Sequence, residues 1–376
     1  MTTLDLLTET IELAGIREGS AFERLCAKAG GRIVLFGAGN LGRRTAQSLH
    51  HQGIVPLAFI DNDIRIQGSE VAGIPVYSPR TGTERWRNSA LFVVSTFLPS
   101  GGGIQARLIE LASLGCLEMT TFLSVGWKFE GVLPHFGADR PSRLLGHARE
   151  LEQVDGLWSD CLSRETFRQA LAWRLRGDFG EITSPAPEQY FPRDIIRPNP
   201  DEVFVDGGAF DGDTLRTAPW AFSKVLAIEP DPVNASNLRS WCNGKAQVRE
   251  VILGREVGHA LFDGKGTMAS SRSEAGLLEI AVETLDNLTA GENPTYIKLD
   301  IEGDEIGALQ GGVKTLRRCQ PLVAVCLYHR PEDLWVIPRF LHEILPRHKM
   351  FLRAHAWDGF ELVVYAVPQE RCLITQ

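Results

Sequence analysis

The run YIKLDIEGDE, Tyr296 to Glu305, sets a lysine and two acids at alternate positions: Lys298, Asp300 and Glu302. Side chains two apart along a strand point to one face, so charge is expected at the strand's carboxyl end, where open α/β sheets take their ligands. Such groups are costly to bury for stability alone unless they pair; a Lys298–Asp300 pair bracing the strand is the plain alternative. A second apolar run, PLVAVCLY, ends at Tyr328 and leads into His329, which brings an imidazole to the same edge. A neutral imidazole near pH 7 takes a proton from a hydroxyl readily. His329, or Glu302 through a water, is therefore the expected general base, and Asp300 is the third catalytic candidate. The leading reading uses no metal; a variant places a divalent cation on Asp300, Glu302 and His329, since oxygen and imidazole ligands suit one. A histidine satisfied in the core is the plain reading of His329. His355, in FLRAHAW, is a further candidate.

Upstream, EVFVDGGAFDGDTLR reads as a strand that delivers Asp206, then a turn through Gly207, Gly208, Phe210, Asp211 and Gly212 into a helix. The next apolar run, VLAIEPD, ends at Glu229, 17 residues beyond Gly212. An acid at the tip of a second strand can accept both ribose hydroxyls of an adenosine. The rest of the cofactor is decided by charge. Asp206 and Asp211 would repel a pyrophosphate, whereas S-adenosylmethionine carries a sulfonium and an ammonium that acids attract. The turn favours the methyl donor over a nicotinamide.

These motifs, with YFP at 190–192, VETLDNL, YIKLDIEGDEIGALQGG and YHRPEDLWVIP, resemble the FkbM family of S-adenosylmethionine-dependent methyltransferases over roughly residues 190 to 367. The resemblance implies a class I methyltransferase fold, closed by an antiparallel hairpin turning at Asp358-Gly359. It implies cofactor contacts from Asp206, Gly208, Asp211 and Glu229, with Asp286 near the adenine edge. For Asp286 a turn or helix-cap role stands beside this, because Thr284 and Asp286 precede a short helical stretch. The wider class carries a middle glycine where this chain has Phe210. The acceptor implied is a hydroxyl on a sugar, glycan or natural product, with N-methylation as the alternative. A polar loop, GKGTMASSRSEAG between Gly264 and Gly276, either borders the acceptor pocket or simply crosses.

The elements that must position these groups form an α/β chain of two Rossmann-like units joined by a helical connector. Residues 1–125 open with an apolar helical pattern stopped by Gly30-Gly31, then a strand, a Gly37-x-Gly39-x-x-Gly42 turn, a helix, and a second strand ending at Asp61, 19 residues after Gly42. Gly37, Gly39, Gly42 and Asp61 fit a nucleotide site of a nicotinamide enzyme or nucleotide-sugar reader. The same glycines also serve close helix–strand packing in a docking or dimerising module, which would make the protein a homo-oligomer. Residues 126–198 read as the connector and a Pro-rich approach in which Tyr190-Phe191-Pro192 either folds over the next strand's active end or merely links. Residues 199–376 form the methyltransferase unit.

With 39 Lys plus Arg against 47 Asp plus Glu, a net charge of −8 and no basic block, the chain lacks the footprint of a nucleic-acid binder. No apolar run reaches the ~18 residues of a membrane span. The opening MTTLDLLTETIELAG lacks the basic region of a signal peptide, so a cytoplasmic protein acting on a small molecule or glycan is expected. Seven dispersed cysteines without a C-x-x-C pair predict neither a disulfide framework nor a zinc cluster, and Cys326 is expected to be a small buried thiol.

Overall fold

Runs of four or five β-branched, leucine and aromatic residues are too short for helices and become buried strands, the pattern of sheets covered on both faces. The computed structural model describes residues 2–97, 102–180, 185–264, 271–272, 276, 278–357 and 361–374. The Asp358-Gly359 turn and most of the 264–276 loop lie outside them. The chain separates into two compact units, one of residues 1–152, 165–185 and 356–360, the other of 153–164, 186–355 and 361–376. No described helix is long and apolar enough to cross a membrane.

In the first unit the described strands are β1 (Ile33–Phe36), β2 (Ala58–Ile60), β3 (Glu70–Val71), β4 (Ile74–Tyr77), β5 (Leu91–Val94) and β6 (Glu118–Thr121). They form one sheet in the order β3-β4-β2-β1-β5-β6, parallel except for the β3–β4 pair. The expected helix after the first glycine turn spans Asn40–His51, and Gly30, at φ 60°, ends the long N-terminal helix Ile11–Lys28.

The second unit holds β7 (Val203–Gly207), β8 (Lys224–Ile228), β9 (Gln247–Arg249), β10 (Ile252–Leu253), β11 (Gly258–Asp263), β12 (Ser271–Arg272), β13 (Leu278–Glu283), β14 (Tyr296–Leu299), β15 (Leu322–Cys326), β16 (Lys349–Ala354) and β17 (Leu362–Val367). The main sheet runs β16-β17-β15-β14-β7-β8-β9. Five strands are parallel, and β16 and β17 pair antiparallel and close one edge as the expected hairpin. A smaller sheet, β10-β13-β11-β12, stands apart. From β7 the chain proceeds one way through β8 and β9 and the other way through β14 and β15, so the carboxyl ends of β7 and β14 flank the topological switch point. Asp206 belongs to one and Asp300 follows the other.

The segment before β7 is tied to this sheet. The Ala186 N–H donates to the Ala354 carbonyl at 2.8 Å, and the Tyr190 N–H donates to the Tyr365 hydroxyl at 3.0 Å. The Tyr296 hydroxyl donates to the Tyr190 carbonyl. Phe191 packs among Phe204, Trp220, Phe222 and Tyr296. This stretch does more than link: it packs on the sheet, and the Tyr190 hydroxyl reaches Asp300 beyond the carboxyl end of β14.

Candidate active site

The parallel register sets Lys298 of β14 opposite Asp206 of β7. Their side chains, 1% and 0% exposed, pair at 3.0 Å, so the partner of Lys298 is Asp206 on the neighbouring strand. The Lys298 ammonium also donates to the Gly208 carbonyl at 2.7 Å and lies 5.0 Å from the centre of the Tyr190 ring. Burial pushes the Asp206 carboxyl up to about 6 against the pull of Lys298. Burial opposes the Lys298 charge, yet Asp206 and Asp300 outweigh it and hold the ammonium above its usual range.

The glycine turn is shaped by packing. Gly208 has φ 72°, and a Cβ there would come within 1.8 Å of the Asp300 carbonyl. One on Gly207 would come within 2.8 Å of the Leu299 side chain. Phe210 takes φ 46°, so it keeps a left-handed backbone that a glycine adopts without strain. Its N–H donates to Glu229 Oε2 at 2.9 Å, and the Asp231 N–H donates to Oε1 at the same distance. Burial raises the Glu229 carboxyl while these backbone donors and the Asn234 side chain pull it down. Asp211 pairs with Arg216. Asp286 accepts from the Lys314 and Thr315 N–H groups at 3.2 and 2.7 Å, at the start of the helix Val313–Cys319; the short helix Leu285–Leu288 that contains it is capped by Thr284 instead.

At the end of β14 the chain turns through Glu302 (φ 58°) and Gly303 (φ 111°). Asp300 accepts from the Tyr190 hydroxyl at 2.6 Å and the Tyr328 hydroxyl at 3.3 Å. Burial would raise its carboxyl, but Lys298, His329 and Tyr190 hold it below the usual range. His329, its side chain 3% exposed, sets Nδ1 2.7 Å from Glu305 Oε1 and Nε2 3.4 Å from Asp300 Oδ1 and 3.7 Å from Glu302 Oε1. The structure thus brings together the three expected catalytic residues. Burial disfavours an imidazolium, yet the surrounding Glu305, Asp300 and Glu302 raise His329 to about 10, a pull that the expectation of a neutral imidazole did not include. Glu302 is pushed up to about 7 by burial and the nearby Asp300, Glu305 and Glu361, against His329.

Sequence reasoning missed Glu305, Tyr190, Tyr328 and Glu361 as members of the cluster. Glu305 accepts from the Ile301 and Gly303 N–H groups at 3.0 and 3.3 Å, and Glu361 accepts from Gln189 at 2.6 Å. Glu305 lies in the same YIKLDIEGDE run, three residues past Glu302, so a turn at Gly303 was the available signal. His355 does not join the cluster. Its Nδ1 lies 2.9 Å from the Ala186 carbonyl and its Nε2 2.9 Å from the Tyr365 hydroxyl, and burial lowers it to about 4. It is a neutral anchor for the segment before β7.

In the first unit Gly42 is required by packing: a Cβ would sit 1.9 Å from the Gly37 carbonyl, and Gly37 itself has φ 107°. Asp61 accepts from the Ala38 and Asp63 N–H groups, each at 2.8 Å, the arrangement that Glu229 makes in the other unit. Gly39 is exposed with open space about it. It is the one glycine of the motif that packing does not explain.

Residues 206–355 match the family model described as the methyltransferase FkbM domain, which supports a methyltransferase activity. No curated protein matches. Among solved structures, the chain is similar in fold to the methyltransferase FkbM from Methylobacillus flagellatus KT, with a TM-score of 0.78 at 19% identity over 97% of this chain and 99% of that one.

Proposed function

We propose, from a chain whose residues 206–355 match a methyltransferase FkbM domain, that the second unit is an S-adenosylmethionine-dependent O-methyltransferase of the cytoplasm acting on a sugar, glycan or natural-product hydroxyl. The observation that carries this is the pairing of two ends at one switch point, with Asp206 and Glu229 around the glycine turn and Asp300, Glu302 and His329 beyond the adjacent strand. The residues present fit the donor. Glu229 ends the second strand beside the glycine turn, where an acid meets ribose hydroxyls, and it has no cationic partner among the described residues, whereas Asp206 and Asp211 are paired with Lys298 and Arg216. Bound there, S-adenosylmethionine supplies a methyl group on a sulfonium that departs as a neutral thioether.

The chain's own task is placement and proton removal. With an acceptor hydroxyl held at this edge, Glu302 would take its proton as the oxygen receives the methyl group. Asp300 is occupied by two tyrosine hydroxyls, Glu305 by His329 and two backbone donors, and Glu361 by Gln189. Among the described residues Glu302 has the His329 ring as its polar contact, and it is the most accessible of the three carboxylates around that ring. Calorimetry with S-adenosylmethionine and S-adenosylhomocysteine tests the reading, and failure of both to bind sinks it.

A second reading concerns the first unit, whose exposed Gly39 and Asp61-latched turn favour a nucleotide or nucleotide-sugar site. Equilibrium dialysis with NAD and with nucleotide sugars tests it; no retention of either leaves the glycines with a packing role, and light scattering of the full chain then tests self-association.

A further inference from the structure

We propose that Asp300, Glu302 and His329 form a site for one divalent cation of the Mn²⁺ type, with Glu305 as the positioning residue behind the imidazole. The inference rests on the methyltransferase reading only in setting the acceptor beside the ion. One ligand atom from each of the three residues falls within 4.8 Å of the others, the spacing of atoms that can share an ion. The second observation is the orphan nitrogen. His329 Nε2 is buried with no hydrogen-bond partner, although it lies 3.4 Å from Asp300 Oδ1 and 3.7 Å from Glu302 Oε1. An imidazole nitrogen facing two carboxylate oxygens at these distances, with no hydrogen bond to either, is placed as a ligand atom would be.

The far side of the ring has the matching arrangement. Nδ1 is held by Glu305 at 2.7 Å, and Glu305 is fixed in turn by the Ile301 and Gly303 N–H groups. Metal-bound histidines almost always have their other nitrogen engaged by a carboxylate or carbonyl, which sets ring orientation and raises ligand basicity. Charge points the same way. Lys298 pairs with Asp206 and also draws Asp300, while Glu302, Glu305 and Glu361 have His329 as the nearby cationic group. Two carboxylates and one imidazole suit Mn²⁺ better than an all-oxygen Mg²⁺ site or a thiolate-rich zinc site. An ion here polarises a hydroxyl that reaches it, so that its proton leaves more readily.

The test uses the full chain, stripped with a chelator, titrated with Mn²⁺ and followed by electron paramagnetic resonance. One ion per chain is expected. Asp300→Asn, Glu302→Gln and His329→Gln are each expected to abolish tight binding, and Glu305→Gln to weaken it by roughly 10-fold to 100-fold. Thermal unfolding of each variant checks that it is folded, and S-adenosylhomocysteine calorimetry runs on the same samples. No stoichiometric ion at millimolar Mn²⁺, or binding unchanged in folded Asp300→Asn and Glu302→Gln, overturns the site. S-adenosylhomocysteine binding without Mn²⁺ binding overturns the cation alone; Mn²⁺ bound by a chain that ignores both donor compounds supports the cation and overturns the methyl-transfer reading.

Discussion

Replacing Lys298 by methionine removes the cation from a fully buried pair and leaves a carboxylate with no counter-charge. The two side chains are 1% and 0% exposed and 3.0 Å apart, and the lysine also satisfies the Gly208 carbonyl. Breaking such a pair from one side costs roughly 3–5 kcal/mol, which for a unit of this size corresponds to a drop of ~6–20 °C in melting temperature. The cost belongs to the ionised carboxylate, so it depends on pH. Asp206 in the native chain titrates at about 6 against an ordinary 3.8; without Lys298 its folded value rises further. An acid raised in the folded state weighs on stability above its unfolded value and not below it. The deficit of Lys298→Met therefore builds as pH rises from about 4, levels off above the folded value, and shrinks again in acid. Calorimetric melting of wild type, Lys298→Met and Lys298→Met/Asp206→Asn from pH 4 to 8 measures it. The double variant is expected to recover most of the loss. A single variant that melts with wild type at pH 8, or a double variant no better than the single, refutes the reasoning.

Gly208→Ala drives a Cβ onto the Asp300 carbonyl at a left-handed position and is expected to lower the melting temperature and S-adenosylhomocysteine affinity together, as read by calorimetry; Gly39→Ala in the other unit has open space and should leave stability within about 1 kcal/mol. His135, beside Arg44 at 3.1 Å, is lowered from 6.5 to about 4 by burial and then by Arg44. Its neutral form belongs to the fold, so it contributes stability above pH 6.5 that is lost as pH falls towards 4, on the order of 3 kcal/mol in all; chemical denaturation across that range should be flatter for His135→Gln, and an identical pH slope refutes the assignment.

The parallel strands were legible because they are near-continuous apolar runs bounded by glycine turns, and the closing hairpin because two such runs come last. The partner of Lys298 was not. Alternation along one strand tells which side chains share a face, but the register with β7 decides what stands opposite, and that put Asp206 there. The surroundings of His329 were hidden for a related reason. Glu305 reaches the ring only because Glu302 and Gly303 turn the chain back through left-handed conformations. Phe210 departs in type from the glycine of the wider class yet keeps that backbone. Cys326 is buried as expected, and it touches the Tyr190 hydroxyl at 3.5 Å, a neighbour that composition does not reveal.

In each unit the acid ending the second strand latches the turn after the first, Asp61 onto Ala38 and Glu229 onto Phe210. A loop held this way is already rigid before anything arrives. The entropy of ordering it is met when the chain folds and does not recur at each encounter, so a molecule that fits finds a fixed cradle, and its association is governed by diffusion and orientation instead of by waiting for a loop to form.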